Sequence, residues 1–108
     1  MVDSTQEINK IINDYISDIQ KYIKVDKAIL YGSHAKGTNH EYSDLDIAIF
    51  SDGFANQSFV ESVSFLCSIA RKYKEMCIEP VAFTLSDLQD GNPFVNDIIA
   101  TGREIAVH

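Results

Sequence analysis

The sequence predicts an α/β (α+β) fold, a small mixed β-sheet of three to four strands packed with helices. Two segments carry apolar residues at helical spacing, and between and after them lie short apolar runs that end at Gly, Ser, Asp or Pro. The resulting order is helix, strand, turn, strand, helix, strand, helix, strand. This alternation is typical of a sheet covered by helices.

The first predicted element is an amphipathic helix. Ser4 and Glu7 have capping-box spacing at its start. Apolar residues then recur every three or four positions, which builds one apolar stripe for the core. The stripe consists of Ile8, Ile11, Ile12, Tyr15, Ile16, Ile19, Tyr22 and Ile23.

The later elements follow from similar signals. Residues 27–31 predict a strand, 34–43 a turn or short helix with a loop, and 44–50 the second strand. A helix follows over about 56–73, then a third strand over 77–83. Asn92 and Pro93 suit the start of a last short helix and Gly102 its end, and residues 103–107 are compatible with a final strand.

The composition predicts one globular domain over residues 1–108, with 45% hydrophobic residues. Its modest core leaves surface for a second subunit or another protein to cover. The net charge of −7 argues against extended nucleic-acid binding, which needs many Lys and Arg near phosphates.

The remaining composition indicates a cytoplasmic protein. No apolar run approaches the length of a membrane span, and the N-terminus lacks the features of a signal peptide. Cys67 and Cys77 are expected to be reduced and largely buried, because two cysteines without supporting histidines do not make a structural zinc site.

Two aspartates lie at the start of the second predicted strand. Asp44 and Asp46 are two residues apart, so alternation places both side chains on one face of the sheet. Carboxylates at this spacing can converge on one divalent ion or flank two ions. By itself, the pair also fits a solvent-facing strand.

The upstream turn favours a phosphate site beside these aspartates. Gly32 can adopt backbone angles closed to other residues, and Ser33 offers a hydroxyl and a backbone N–H. Lys36 and His34 are near enough in sequence to reach phosphate oxygens. An ordinary strand-ending turn is the alternative.

Together these residues resemble a known family. Gly32-Ser33-x-Ala35-x-Gly37, followed by Ser43-Asp44-x-Asp46, is similar to the signature of the minimal nucleotidyltransferases of the DNA polymerase β superfamily. The resemblance implies the nucleotidyltransferase fold and, from its pattern of helices and strands, covers nearly the whole chain.

The resemblance also implies a third carboxylate on a later strand, for which Glu79 is the candidate. Alternation places Cys77, Glu79, Val81 and Phe83 on one face. The alternative is a water-facing Glu on an edge strand, which the adjacent Pro80 favours. One departure from the family is His34, where Arg is common, which would offset triphosphate charge less well.

The activity implied by the resemblance is transfer of a nucleoside monophosphate, with AMP from ATP as the expected case, to a hydroxyl. Asp44, Asp46 and Glu79 would be catalytic and would hold two Mg²⁺ ions, while Gly32, Ser33 and Lys36 would bind the nucleotide phosphates. The resemblance further suggests an antitoxin that modifies a tyrosine of a helical HEPN-type partner.

Two other interpretations stay open. A non-catalytic antitoxin would neutralise its HEPN-type partner by contact alone. An aminoglycoside-type transferase acting on a small molecule fits the signature, but the chain has no evident substrate domain.

Overall fold

The computed structural model describes residues 4–32, 35 and 44–107. Every strand and helix predicted outside residues 34–43 is present, and a short helix and a 3₁₀ turn are added. The elements are α1 (Ser4–Ile19), β1 (Lys27–Tyr31), β2 (Leu45–Phe50), a 3₁₀ turn (Asp52–Phe54), α2 (Phe59–Ala70), β3 (Ile78–Phe83), α3 (Leu85–Gln89), α4 (Pro93–Thr101) and β4 (Arg103–Ile105).

The four strands form one mixed sheet in the order β3-β2-β1-β4. β1 pairs antiparallel with both β2 and β4, whereas β2 and β3 are parallel. The parallel pair needs a crossover, which α2 supplies. As a result, the carboxyl end of β1 lies at the same end of the sheet as the amino ends of β2 and β3.

One face of the sheet packs on α1 and α2 and forms the larger core. The alternate residues Leu45, Ile47 and Ile49 of β2 point into it, as strand periodicity predicts. Tyr15 is fully buried there, and its hydroxyl donates to the Leu66 carbonyl of α2 at 2.9 Å. Burial raises the pKa of Tyr15 well above its usual range.

The opposite face carries a smaller core beneath α4. Val95 and Ile98 of α4 pack with Ile29, Ala48, Phe50 and Phe83 of the sheet. The Asn92 side chain caps α4 by accepting from the Phe94 N–H at 2.9 Å, and the Gly102 N–H closes its last turn. The predicted beginning and end of this helix are therefore confirmed.

Several boundaries differ from the prediction for local reasons. The helix predicted over 56–73 runs only from Phe59 to Ala70, because the Ser58 hydroxyl caps it by accepting from the Glu61 N–H. The unpredicted α3 begins where the Thr84 N–H donates to the Asp87 carboxylate at 2.8 Å.

The cysteine prediction is partly wrong. Both thiols are free, but Cys67 is half-buried and Cys77 is exposed, because Cys77 precedes β3 at the open end of the sheet. Within the described part of the chain, no helix is long and apolar enough to cross a bilayer. The cytoplasmic location stays a prediction.

Candidate nucleotidyl-transfer site

Three polar side chains form a row across the strands β1, β2 and β3, near one end of the sheet. Tyr31 of β1 pairs in register with Asp46 of β2, and Asp46 pairs in register with Glu79 of β3. Register partners point to the same face of a sheet, so the three side chains lie side by side on the face that carries α4. Strand pairing thus joins residues that are far apart in sequence.

Asp44 and Cys77 extend this row just before the two parallel strands begin. The Leu45 N–H donates to the Cys77 carbonyl at 2.9 Å, which fixes the two entering segments beside each other. One carboxylate oxygen from each of Asp44 and Glu79 and the Cys77 sulfur lie within 4.8 Å of one another. We call Asp44, Asp46, Cys77 and Glu79 the acidic cluster.

The acidic cluster has a strongly negative character. A hydrogen bond to Asp44 and the negative charge of Asp44 raise the pKa of Glu79, with smaller contributions from burial and from Asp46. A hydrogen bond to Asp44, burial and the charges of Asp44 and Glu79 likewise raise the pKa of the Cys77 thiol. Both shifts show that the site resists further negative charge.

Tyr31 responds to the same field. Burial first, and then the negative charges of Asp46 and Glu79, raise the pKa of Tyr31 to about 12. Its ring meets Phe94 of α4 edge to face, with centroids 6.1 Å apart. Tyr31 is therefore neutral and half-buried, and its ring lies between the acidic cluster and the smaller core.

In the described part of the chain, Asp44 and Glu79 lie apart from the ion pairs. Those pairs are made by Lys side chains elsewhere, and none of them includes Asp44 or Glu79. Like charges held close together favour uptake of a proton or a cation. Carboxylate oxygens are the ligands that Mg²⁺ prefers, so the donor set fits a divalent ion.

The glycine that follows β1 lies close to Asp46. Gly32 has φ +74°, in the left-handed region that other residues rarely adopt. A Cβ added to Gly32 would overlap the Asp46 carboxylate. The absence of a side chain therefore lets the backbone at Gly32 lie directly against the Asp46 carboxylate.

The predicted site residues have different outcomes. The structure brings Asp44, Asp46 and Glu79 together and sets Gly32 against them. Ser33, Lys36 and His34 lie outside the described residues, and so does most of the segment predicted over 34–43. The metal-binding, catalytic and phosphate-binding roles of all these residues stay predictions.

Two neighbours of the site were assigned no role from sequence. Cys77 lies two residues before Glu79, so strand alternation already placed both on one face, and this was the available signal. Tyr31 precedes Gly32, but only the β1–β2 register reveals that it faces Asp46. The alternative considered for Glu79 placed it on an edge strand, as the adjacent Pro80 favours, and β3 is indeed an edge strand.

Comparison with known proteins identifies a family and a fold. The family model described as "Polymerase beta, Nucleotidyltransferase" matches residues 7–107. No curated protein matches the chain. A Sulfolobus solfataricus protein, provisionally described as a nucleotidyltransferase, superposes with a TM-score of 0.67 and 14% identity, covering 81% of this chain and 76% of that chain.

Two toxin–antitoxin structures are also similar. One, with AMP-PNP, has a TM-score of 0.64 and 19% identity over 93% of this chain and 73% of that chain. The other, a variant of the toxin–antitoxin MntA–HpeT with two Asp-to-Glu substitutions, has a TM-score of 0.57 and 17% identity over 95% of this chain and 73% of that chain. At these identities, the likeness establishes the fold.

Proposed function

Since the chain belongs to the polymerase beta nucleotidyltransferase family, we propose that it transfers AMP from ATP to a hydroxyl group on a partner protein. The observation that carries the proposal is the acidic cluster. Asp44, Asp46 and Glu79 meet at one sheet end, where a hydrogen bond to Asp44 and the negative charge of Asp44 raise the pKa of Glu79.

Asp44, Asp46 and Glu79 would hold the Mg²⁺ ions. Divalent ions in such a site neutralise triphosphate charge and make an attacking hydroxyl more acidic. Among the residues themselves, we assign to Glu79 the role of accepting the proton of that hydroxyl, because its carboxylate is exposed beside both aspartates.

Gly32 would admit the nucleotide phosphates. Its turn already lies against Asp46 without a side chain between them, so a phosphate bound to the turn would lie close to the cation ligands. Ser33 and Lys36 follow in sequence, and we assign them the outer phosphates. Catalysis would then rest on positioning and on charge neutralisation rather than on a covalent intermediate.

We assign the acceptor hydroxyl to a protein of a toxin–antitoxin pair. The two similar toxin–antitoxin structures support this assignment, and one of them contains AMP-PNP. By the resemblance of the signature, the partner would be a helical HEPN-type protein and the acceptor a tyrosine. We further propose that residues 1–108 act as a single minimal nucleotidyltransferase domain.

Transfer of label from ATP tests the proposal directly. The purified chain is incubated with Mg²⁺ and ATP labelled at the α-phosphate, alone and with the product of the neighbouring gene. We expect label on that partner, and its loss in Asp44→Asn/Asp46→Asn. Asp97→Asn, an exposed aspartate of α4, is the matched control and keeps the transfer.

Other outcomes of this experiment would contradict either the assigned acceptor or the proposed enzymatic activity. Label on the chain alone, with none on the partner, would contradict the assigned acceptor. A stable complex without any transfer would overturn the enzymatic proposal in favour of an antitoxin that acts by contact. Full neutralisation of the partner by Asp44→Asn/Asp46→Asn would lead to the same conclusion.

A further inference from the structure

Cys77 shares the acidic cluster with the carboxylates to which we assign Mg²⁺. Its sulfur and one oxygen from each of Asp44 and Glu79 lie within 4.8 Å of one another. We propose that Cys77 is a further cation ligand at this site, and that Asp44, Cys77 and Glu79 together bind a thiophilic divalent cation such as Zn²⁺ or Co²⁺. This inference deepens the proposed function, because it adds a ligand to the same site.

The backbone holds the sulfur in place. The Cys77 carbonyl accepts the Leu45 N–H at 2.9 Å, and Leu45 pairs in register with Ile78. Residues 44 and 77 therefore enter their strands side by side, with Glu79 one strand repeat after Cys77. Glu79 lies in β3, and Asp44 and Cys77 directly precede the hydrogen-bonded strands β2 and β3, which gives the rigid support that a cation site requires.

The donor chemistry distinguishes this site from an all-oxygen site. Mg²⁺ takes oxygen ligands and gains little from a thiolate, whereas Zn²⁺ and Co²⁺ bind sulfur, nitrogen and oxygen donors. For one set of donors, affinity also rises from Mn²⁺ towards Co²⁺ and Zn²⁺. Binding converts the thiol to a thiolate and releases its proton to solvent.

The second cysteine provides an internal comparison. Cys67 lies in α2, half-buried, and is not part of a described group of three metal-ligating side chains. Its environment is the helix that covers the larger core. If a cation changes the absorption or the reactivity of Cys77 but not of Cys67, the effect comes from coordination at the acidic cluster and not from a reaction common to both thiols.

Titration with Co²⁺ provides the test, because a Co²⁺–thiolate bond has a charge-transfer absorption in the near ultraviolet. The expected result is this band in the unmodified chain and in Cys67→Ser, but not in Cys77→Ser. We also expect Cys77→Ser to weaken Co²⁺ affinity by about tenfold or more. The absence of the band from the unmodified chain, or its persistence in Cys77→Ser, would overturn the inference.

A second measurement uses the unmodified chain. Alkylation by iodoacetamide is followed by peptide mapping, with and without Zn²⁺. We expect Zn²⁺ to slow modification of the exposed Cys77 and to leave Cys67 unchanged. Equal rates at Cys77 with and without Zn²⁺ would contradict coordination, even if a serine variant failed to fold.

The two proposals fail in different ways. Transfer of label with Mg²⁺, without a thiolate band for Co²⁺, would retain the nucleotidyltransferase and remove Cys77 from the site. A thiolate band without any transfer would retain the cation site and overturn the proposed activity.

Discussion

The acidic cluster and Asp18 of α1 lie on opposite sides of the sheet, and their surroundings shift carboxylate pKa values in opposite directions. Asp18 of α1 accepts hydrogen bonds from the Lys72 ammonium at 2.8 Å, the Lys21 ammonium at 3.0 Å and the Tyr73 hydroxyl. These bonds hold the pKa of Asp18 well below its usual range. We call Asp18, Lys21, Lys72 and Tyr73 the α1–α2 clasp.

The acidic cluster shows the reverse shift. Hydrogen bonding to Asp44 and the charge of Asp44 raise the pKa of Glu79 rather than lowering it. Asp18 is surrounded by hydrogen-bond donors, whereas Glu79 lies beside two other carboxylates. The opposite directions of the two pKa shifts follow from these surroundings, and they agree with the proposal that Glu79 belongs to a cation site.

The largest expected effects are on the rate of nucleotidyl transfer, when one carboxylate in each region is replaced by its amide. Glu79→Gln should reduce nucleotidyl transfer by at least about 100-fold, because it removes a proposed cation ligand and proton acceptor. Asp18→Asn should leave transfer unchanged, since the α1–α2 clasp lies across the sheet from the site. Initial rates of label transfer measure both variants.

Stability should follow the opposite pattern. Asp18→Asn should lower the free energy of unfolding by about 1–3 kcal/mol, because it weakens a network of charge-assisted hydrogen bonds. Glu79→Gln should not destabilise the cation-free chain, since it relieves like-charge repulsion. Urea unfolding in the presence of EDTA gives both values, and a loss of stability in Glu79→Gln as large as that in Asp18→Asn would contradict the comparison.

Local sequence signals predicted much of this arrangement, but they did not predict its two key contacts; the grouping of Glu79 with the aspartates came from the family resemblance alone. Alternation and turn chemistry located β1 and the aspartates of β2, because these signals are local. The pairing of Asp46 with Glu79 depends on the β2–β3 register, which residues 33 positions apart do not encode locally. The α1–α2 clasp depends on packing between Asp18 and Tyr73, 55 residues apart, so no local pattern indicates it.

The exposure of Cys77 was also not predicted, because it depends on where the segment lies in the sheet. A cysteine in an apolar segment is usually buried, and composition favoured that interpretation. The segment instead enters an edge strand at the open end of the sheet, where the Cys77 side chain is exposed.

A smaller and more local effect is expected at the glycines. Gly32 and Gly91 have nearly equal φ angles, +74° and +73°, but only at Gly32 does an added Cβ meet a neighbour, the Asp46 carboxylate. Alanine at either position should cost about 1 kcal/mol of stability from the backbone conformation. The Asp46 carboxylate must also rotate away in Gly32→Ala.

The site should therefore respond to only one of the two substitutions. We expect Gly32→Ala to weaken divalent-cation binding by about tenfold and Gly91→Ala to leave it unchanged. Calorimetric titration with Mn²⁺ measures both. Equal affinities in the two variants would mean that the close approach of Gly32 to Asp46 has no role in the site.

The smallest expected effect is in the pH dependence of stability without cations. The stabilisation from Asp18 is present above its ordinary pKa of 3.8 and is lost as the pH falls below that value. Glu79 acts with the opposite sign: its contribution is full below its ordinary pKa of 4.5 and is lost as the pH rises through its raised pKa.

Unfolding in EDTA at a series of pH values separates the two terms. Asp18→Asn should flatten the acid side of the stability profile, and Glu79→Gln should flatten the decline above pH 4.5. The Glu79 term should be small, because water screens its exposed side chain. A profile of Glu79→Gln parallel to that of the unmodified chain would contradict the raised pKa.

The central claim is that the acidic cluster is a cation site and the α1–α2 clasp is not. Electron paramagnetic resonance of free Mn²⁺ tests it most directly, in the unmodified chain, Asp44→Asn and Asp18→Asn. We predict that the unmodified chain binds Mn²⁺, that Asp44→Asn weakens binding by at least about tenfold, and that Asp18→Asn binds as the unmodified chain does. No binding by the unmodified chain, or equal weakening in both variants, would contradict the account.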